Sequence, residues 1–92
     1  MPKQDGTVIV EFYGIPRQRA GRAELTVPAG AVAEVLTAIK EACPGLADLT
    51  RADGKLSGHY LVSIDGKGFI SDPRQPLARG TRLLLLSADA GG

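Results

Sequence analysis

With 92 residues, the chain has room for one domain around one modest core, and we predict a single domain over residues 1–92. Its composition, 43% hydrophobic and 23% charged, is typical of a globular protein and excludes a disordered or fibrous chain. Eleven Lys and Arg against ten Asp and Glu leave a net charge of +1. This balance provides no broad basic surface for nucleic acid or for an anionic membrane, so we expect protein partners.

The cysteine content and the N-terminus indicate the compartment. Cys43 is the only cysteine, whereas a short secreted domain usually carries several paired ones. Residues 1–6 lack the apolar segment of a signal peptide, and no apolar run approaches the roughly 18 residues that cross a membrane. We therefore expect a cytoplasmic protein.

The first third of the chain predicts two strands. Thr7 to Tyr13 is β-branched and aromatic, with Val8, Val10 and Phe12 on one face. A polar stretch from Gly14 to Gly21 follows, which we predict to be a loop. Arg22 to Val27 then alternates polar and apolar residues, and this pattern predicts an antiparallel partner that forms a hairpin with the first strand.

One amphipathic helix follows the turn residues Pro28 to Gly30. The apolar side chains recur at helical spacing on one face, at Val32, Val35, Leu36, Ile39 and Cys43. Pro44 and Gly45 supply a stop signal directly after the last of them. We predict a helix from about Ala31 to Ala42.

The second half of the chain returns to a strand pattern. Leu46 and Leu49 are spaced to pin a short turn onto the core, and residues 51–58 are a polar surface loop. Tyr60 to Ile64 predicts a strand, and Asp65-Gly66 is a favourable type I′ turn that folds residues 67–70 back as a short strand. After a loop at residues 72–80, Thr81 to Leu86 predicts a final strand that is buried on both faces.

The order of elements predicts an α+β fold. One helix is available to cover one face of a mixed sheet of about four or five strands, with the last strand beside the first. This is the plan of a β-grasp domain.

Candidate catalytic groups are scarce. His59 is the only histidine, and we assign it no role; Cys43 ends the apolar helical stripe and is expected to be a buried structural thiol. One cysteine and one histidine are too few for a zinc or iron–sulfur site. Two groups of arginines are read as solvated loop charge that could also dock an acidic partner, namely Arg17, Arg19 and Arg22, and Arg74, Arg79 and Arg82. The chain therefore carries no recognisable enzymatic set of residues.

The C-terminal segment is the remaining feature. Residues 88–92 follow the last strand as a tail that ends in Gly91 and Gly92. Five residues reach at most about 16 to 18 Å, which is enough to carry a carboxylate into a partner's cleft. Glycine has no Cβ, so two in succession leave the terminal carbonyl open to close approach.

The whole chain resembles the ThiS/MoaD sulfur carriers of the ubiquitin-like β-grasp superfamily. Residues 62–66 stand where that family has its "vNG" hairpin, residues 77–83 resemble its "L-x-x-G-D-x-v" approach to the last strand, and Gly91-Gly92 matches its terminus. The opening strand, the segment at residues 15–21 and the helix followed by residues 43–46 agree in order. Asp89 and Ala88 depart from the pattern, since these proteins often have an apolar residue and a proline there.

The resemblance implies a carrier rather than an enzyme. An E1-like adenylyltransferase would use ATP to convert the Gly92 carboxylate to an acyl-adenylate, and a sulfur donor would turn this into a thiocarboxylate. Gly92 would carry the chemistry and Gly91 would give access, with no cofactor and no metal bound by the chain itself. A sulfur-accepting enzyme would be the next partner, and the full first hairpin favours a molybdopterin-synthase large subunit or an equivalent over the thiamin pathway.

Two other functions fit the same sequence. A protein modifier would be joined through Gly92 to lysines of target proteins, as ubiquitin-like proteins are. A noncovalent β-grasp interaction module would leave the glycines without a chemical role.

Overall fold

The computed structural model describes residues 6–70 and 72–88. In this part of the chain the sheet order is β2-β1-β7-β4-β5, with β1 and β7 parallel and the other neighbours antiparallel. A two-stranded pairing of β3 with β6 lies outside this sheet. The elements in chain order are β1 (Thr7–Phe12), α1 (Ile15–Ala20), β2 (Glu24–Pro28), β3 (Gly30–Ala31), α2 (Val32–Ala42), a 3₁₀ turn (Pro44–Leu46), β4 (Tyr60–Ile64), β5 (Gly68–Phe69), β6 (Pro76–Leu77) and β7 (Arg82–Ser87).

The core lies between α2 and one face of the sheet. Successive strand residues point to opposite faces, so alternate positions of β1 and β7 face the helix. The register pairs Val10 with Leu83 and Phe12 with Leu85, and all four side chains are buried. The helix contributes the predicted apolar stripe to the same cluster, namely Val32, Val35, Leu36, Ile39 and Cys43. The predicted α+β fold and the placement of the last strand beside the first are confirmed.

The predicted turn between β4 and β5 has the expected backbone. Asp65 and Gly66 both have positive φ, 52° and 72°, as a type I′ turn requires. The Lys67 N–H donates to the Ile64 carbonyl at 2.8 Å and closes the turn. The sequence prediction at Asp65-Gly66 is therefore confirmed.

The prediction of a loop from Gly14 to Gly21 is wrong, because this segment contains the helix α1. Pro16 stands in the first turn, where a missing N–H costs nothing, and Gly21 ends the helix in the left-handed conformation with φ 74°. Pro16 is the only buried residue of α1, so no apolar stripe marked it. The helix α1 instead forms where this segment packs against the 3₁₀ turn. The two backbones approach so closely that a Cβ on Gly45 would stand 2.2 Å from the Arg19 carbonyl oxygen.

The prediction that the last strand is buried on both faces is also wrong. Leu83 and Leu85 are buried, but Leu84 and Leu86 are only half-buried. Within residues 6–70 and 72–88 the one long helix, α2, covers the other face of the sheet. The run of four leucines therefore serves a core on one side and a surface on the other.

The loop predicted at residues 72–80 is also partly ordered. Pro76–Leu77 forms β6 and pairs with Gly30–Ala31, just before α2. Two main-chain bonds, from Val32 N–H to the Gln75 carbonyl at 2.9 Å and from Ala33 N–H to the Pro73 carbonyl at 2.8 Å, satisfy donors at the start of α2. No helix in the described ranges is both long enough and apolar enough for a membrane crossing.

Candidate functional site

The described residues show where the C-terminal tail leaves the domain. β7 ends at Ser87, which stands opposite Tyr60 of β4. The Ala88 N–H donates to the His59 carbonyl at 2.9 Å and adds one more rung beyond the strand. The predicted site residues Gly91 and Gly92 lie outside the described residues. The structure therefore gives the root of the tail, at Ser87 and Ala88, and the surfaces around it.

One of these surfaces is the face of the sheet that α2 does not cover, which we call the open face. Its strand positions alternate with the core positions, and its apolar members are Ile9, Leu61, Phe69, Leu84 and Leu86. Phe69 is 65% exposed and Leu61 is 36% exposed. Such a contiguous apolar surface beside the root of a tail is typical of a protein-docking site.

A polar group borders the open face near the end of β1. The Arg82 guanidinium forms an ion pair with the Glu11 carboxylate, and the Tyr13 hydroxyl donates to the same carboxylate at 2.7 Å. The hydrogen bond from Tyr13 and the charge of Arg82 hold the pKa of Glu11 below its ordinary value. The same contact with Glu11 raises the pKa of Tyr13. At neutral pH this border therefore consists of the Glu11–Arg82 ion pair and the Tyr13 phenol that is hydrogen-bonded to Glu11.

A cavity of about 170 Å³ lies beside the root of the tail. Six residues from four parts of the chain line it, namely Ile15, Arg19, Asp48, His59, Tyr60 and Ser87. It brings together α1, the turn after α2, and the ends of β4 and β7. This convergence is a product of the tertiary structure, because Arg19, Asp48 and Tyr60 are far apart in the chain.

Three polar side chains form a closed network in this cavity. Arg19 donates to the Tyr60 hydroxyl at 2.7 Å and to Asp48 at 3.1 Å, and the Tyr60 hydroxyl donates to the other oxygen of Asp48 at 2.6 Å. The hydrogen bond from Tyr60, followed by the charge of Arg19, lowers the pKa of Asp48. Burial and the bond to Asp48 raise the pKa of Tyr60. The network therefore consists of a carboxylate, a protonated phenol and a guanidinium at neutral pH.

The network argues against a hydrolytic triad among the lining residues. Asp48, His59 and Ser87 all line the cavity, which are the residue types of that mechanism. A triad needs the carboxylate to orient the imidazole, but the Asp48 oxygens accept from Tyr60 and Arg19 instead. We infer that Asp48 fixes structure here and does not activate His59.

The cysteine, the histidine and two of the arginines considered in the sequence analysis have roles within the fold itself. Cys43 is 2% exposed, and burial raises the pKa of its thiol, as expected for a structural cysteine. His59 is exposed and contributes its carbonyl to the root of the tail, a main-chain role that its residue type does not predict. Arg19 and Arg82 are each engaged in an ion pair within the domain. In the ranges that the structure describes, no three His, Cys, Asp or Glu side chains are grouped to hold a metal ion.

In the described residues, the mixed sheet, the single long helix across one face and the last strand inside the sheet define a ubiquitin-like β-grasp fold. SAMP1 from Haloferax volcanii matches with a TM-score of 0.79 and 24% identity, over 95% of this chain and 100% of that chain. The small archaeal modifier protein 1 from Methanosarcina acetivorans matches with a TM-score of 0.76 and 21% identity, over 95% and 97%. A putative molybdopterin converting factor subunit 1 from Pyrococcus furiosus matches with a TM-score of 0.72 and 18% identity, over 90% and 98%.

At these identities the likeness establishes the fold. No protein-family model and no curated protein matches the chain in sequence. The resemblance to ThiS/MoaD carriers that the sequence indicates is thus confirmed at the level of the β-grasp fold, and activity is a separate question.

Proposed function

We propose that this protein is a sulfur carrier whose Gly92 carboxylate is activated by an E1-like adenylyltransferase. The observation that carries the proposal is the root of the tail, where β7 ends between the open face and the Arg19–Asp48–Tyr60 network. A partner that binds the open face would have the following residues, up to Gly91 and Gly92, directed toward its own cleft. The fold shared with archaeal modifier proteins and with a molybdopterin converting factor subunit supports the same class of function.

The chemistry would take place on the tail and not inside the domain. A carboxylate is a poor electrophile, so an oxygen of Gly92 would attack the α-phosphorus of ATP and release pyrophosphate. A sulfide equivalent from the donor would then displace AMP at the acyl carbon and leave a thiocarboxylate. The domain contributes recognition, and ATP belongs to the activating partner. A sulfur-accepting enzyme, such as a molybdopterin-synthase large subunit or an equivalent, would consume the terminal sulfur.

A protein modifier is the second candidate. The small archaeal modifier protein 1 from Methanosarcina acetivorans shares the fold, and the same adenylate could be passed to a lysine amine of a target protein. The two functions share activation and differ in the nucleophile that receives the acyl group. A noncovalent interaction module is the third possibility, in which Gly92 has no chemical role.

Intact-mass analysis after co-expression with an activating enzyme tests the proposal. We expect a product in which one oxygen has been replaced by sulfur, localised to Gly92 by fragmentation and absent when Gly92 is deleted. Gly58→Ala is the matched control, because nothing lies within 4 Å of a Cβ at Gly58 and the exchange leaves the tail intact. Lysine conjugates would instead support the modifier. A chain that is neither adenylated nor conjugated, and whose function survives deletion of Gly92, would refute both covalent functions.

A further inference from the structure

A groove of about 420 Å³ lies at the edge of the sheet, and Tyr60, the strand partner of Ser87, is among its lining residues. Its apolar lining comes from Leu56, Leu61, Phe69 and Ile70, and two cationic side chains, Arg51 and Lys55, stand on one rim. Ile70 is buried beneath it, whereas Phe69 and Leu61 remain open to water. We call this feature the basic-rimmed groove.

The exposure of Phe69 is the first argument for a ligand. The ring is 65% exposed at the end of the short strand β5, and it is continuous with Leu61 rather than isolated. Its partner across the sheet is Ser63, which offers no large apolar surface to cover it. Single exposed apolar residues are ordinary, but an exposed aromatic ring at the wall of a groove is typical of an anchor point for another molecule.

The rim is held in place by its own hydrogen bonds. Arg51 N–H donates to the Lys55 carbonyl at 2.7 Å, and Ser57 N–H donates to the Leu49 carbonyl at 2.8 Å. Thr50 and Leu56 form an isolated antiparallel bridge across the base of this loop. Because the loop is already closed, a ligand would not have to order its backbone on binding, which lowers the entropic cost.

The charge of the rim selects the chemistry of the ligand. The Arg51 guanidinium Nη2 lies 3.3 Å from the Asp53 carboxylate Oδ2, which partly neutralises its charge. Asp53 itself is not among the residues that line the groove. Lys55 forms no ion pair with any residue in the ranges 6–70 and 72–88. The groove therefore presents an apolar floor beside the Lys55 ammonium, whose nearest acidic influence is the Asp53 carboxylate outside the lining. A second copy of this chain would bring like cations together across a two-fold axis, which disfavours self-association.

We propose that the basic-rimmed groove binds an acidic–apolar peptide segment of a partner protein. One aliphatic or aromatic side chain would pack against Phe69 and Leu61, and a neighbouring carboxylate would pair with Lys55. The groove shares Leu61 and Phe69 with the open face, and Arg51 and Lys55 extend it beyond that face. It would let the protein recognise the sequence of a partner at the border of the open face.

Selection from a displayed library of random twelve-residue peptides on the full-length chain tests this site. We expect enrichment of sequences that combine Asp or Glu with a large apolar residue, and micromolar binding of a synthesised winner by fluorescence anisotropy. Lys55→Glu should lower the affinity for that peptide about tenfold, and this loss of affinity should shrink at high salt because the rim is exposed. Phe69→Ser should lower the affinity for the peptide by at least the same factor.

Matched exchanges elsewhere give the controls. Arg22→Glu reverses an exposed charge that does not line the groove, and Ile15→Ser removes an apolar side chain that is 46% exposed at the tail cavity. Both should change peptide affinity less than twofold, and circular dichroism should show all four variants folded. Failure to enrich any peptide, enrichment without acidic residues, or equal effects of Lys55→Glu and Arg22→Glu would overturn the proposal. Sedimentation that showed self-association lost in Phe69→Ser would also overturn it in favour of a dimer.

Discussion

Tyr60 joins three parts of the molecule through one side chain. Its ring belongs to the buried core, its hydroxyl bonds Asp48 and Arg19, and its strand position faces Ser87 at the root of the tail. Phenols suit this position because one end is apolar and the other end carries a donor and an acceptor. The local geometry of the tail's exit therefore depends on a residue that is distant from the tail in sequence.

Tyr60→Phe should cost about 1 kcal/mol of unfolding free energy at pH 7, because it removes the hydroxyl that donates to the partly solvated Asp48 carboxylate and accepts from Arg19. Chemical denaturation by urea, followed by circular dichroism, measures the loss. Tyr13→Phe is the matched control, since Tyr13 is 44% exposed whereas Tyr60 is buried, and loss of its hydrogen bond to Glu11 should cost less. Equal losses in the two variants would contradict the role assigned to the network.

The same variant should change the response of stability to acid. The pKa of Asp48 is lowered in the folded state, so its contribution is present above its ordinary value of 3.8 and is lost as pH falls through the lowered value. Tyr60→Phe removes the largest cause of that lowering. Denaturation curves measured between pH 7 and pH 2 should therefore converge for the two proteins at the acid end. A difference that stayed constant with pH would show that the carboxylate is not involved.

At the scale of the element, β7 shows how one strand can serve two purposes. Leu83 and Leu85 fill the core, while Leu84 and Leu86 form part of the open face. The strand lies between β1 and β4, so its backbone is fully paired and its outward side chains are held in a fixed plane. A docking surface on a rigid central strand is better ordered than one on a loop.

Leu86→Glu should separate recognition from folding. The side chain is half-buried on the open face next to the root of the tail, so we expect a loss of about 1 kcal/mol in stability. The rate of adenylation by the activating enzyme, measured by pyrophosphate exchange, should fall at least about tenfold because a buried carboxylate would be left unpaired in the complex.

Thr37→Glu supplies the control for this prediction. Thr37 is exposed on α2, which packs on the opposite face of the sheet. Its replacement should leave the exchange rate unchanged. Normal adenylation of Leu86→Glu would show that the activating enzyme does not use the open face.

At the scale of the whole molecule, the parallel pairing of β1 with β7 closes the core. These strands come from opposite ends of the chain, and their side chains meet in one cluster with α2. Contacts of such long sequence separation form only when most of the chain is in place, which favours cooperative unfolding. Cys43 lies in that cluster and is 2% exposed, so it can report on the transition.

The Cys43 thiol should be unreactive toward a thiol-specific reagent in the native protein. Burial also raises its pKa, which lowers the fraction of reactive thiolate. The labelling rate at increasing urea should therefore follow the global unfolding curve measured by circular dichroism. Rapid labelling without urea would show a local opening at the end of α2.

Much of this architecture could be predicted from periodicity. The stripe from Val32 to Cys43 identified α2 to within one residue, and Asp65-Gly66 identified the turn by its positive φ. Both signals are local, because the physical cause lies in neighbouring residues. The Ile15–Ala20 helix escaped prediction because its six residues bury only Pro16 and are stabilised by contacts with the distant 3₁₀ turn.

Apolar spacing and residue inventory are properties of the chain, so the α+β class, the amphipathic helix and the type of chemistry to look for could be predicted without a structure. The tertiary structure decided which side of β7 is a core and which is a surface, because a run of leucines carries no record of what packs on each face. It also decided that Arg19, Asp48 and Tyr60 meet beside the root of the tail. That meeting depends on how α1, the turn after α2 and β4 pack together, and no local pattern encodes it.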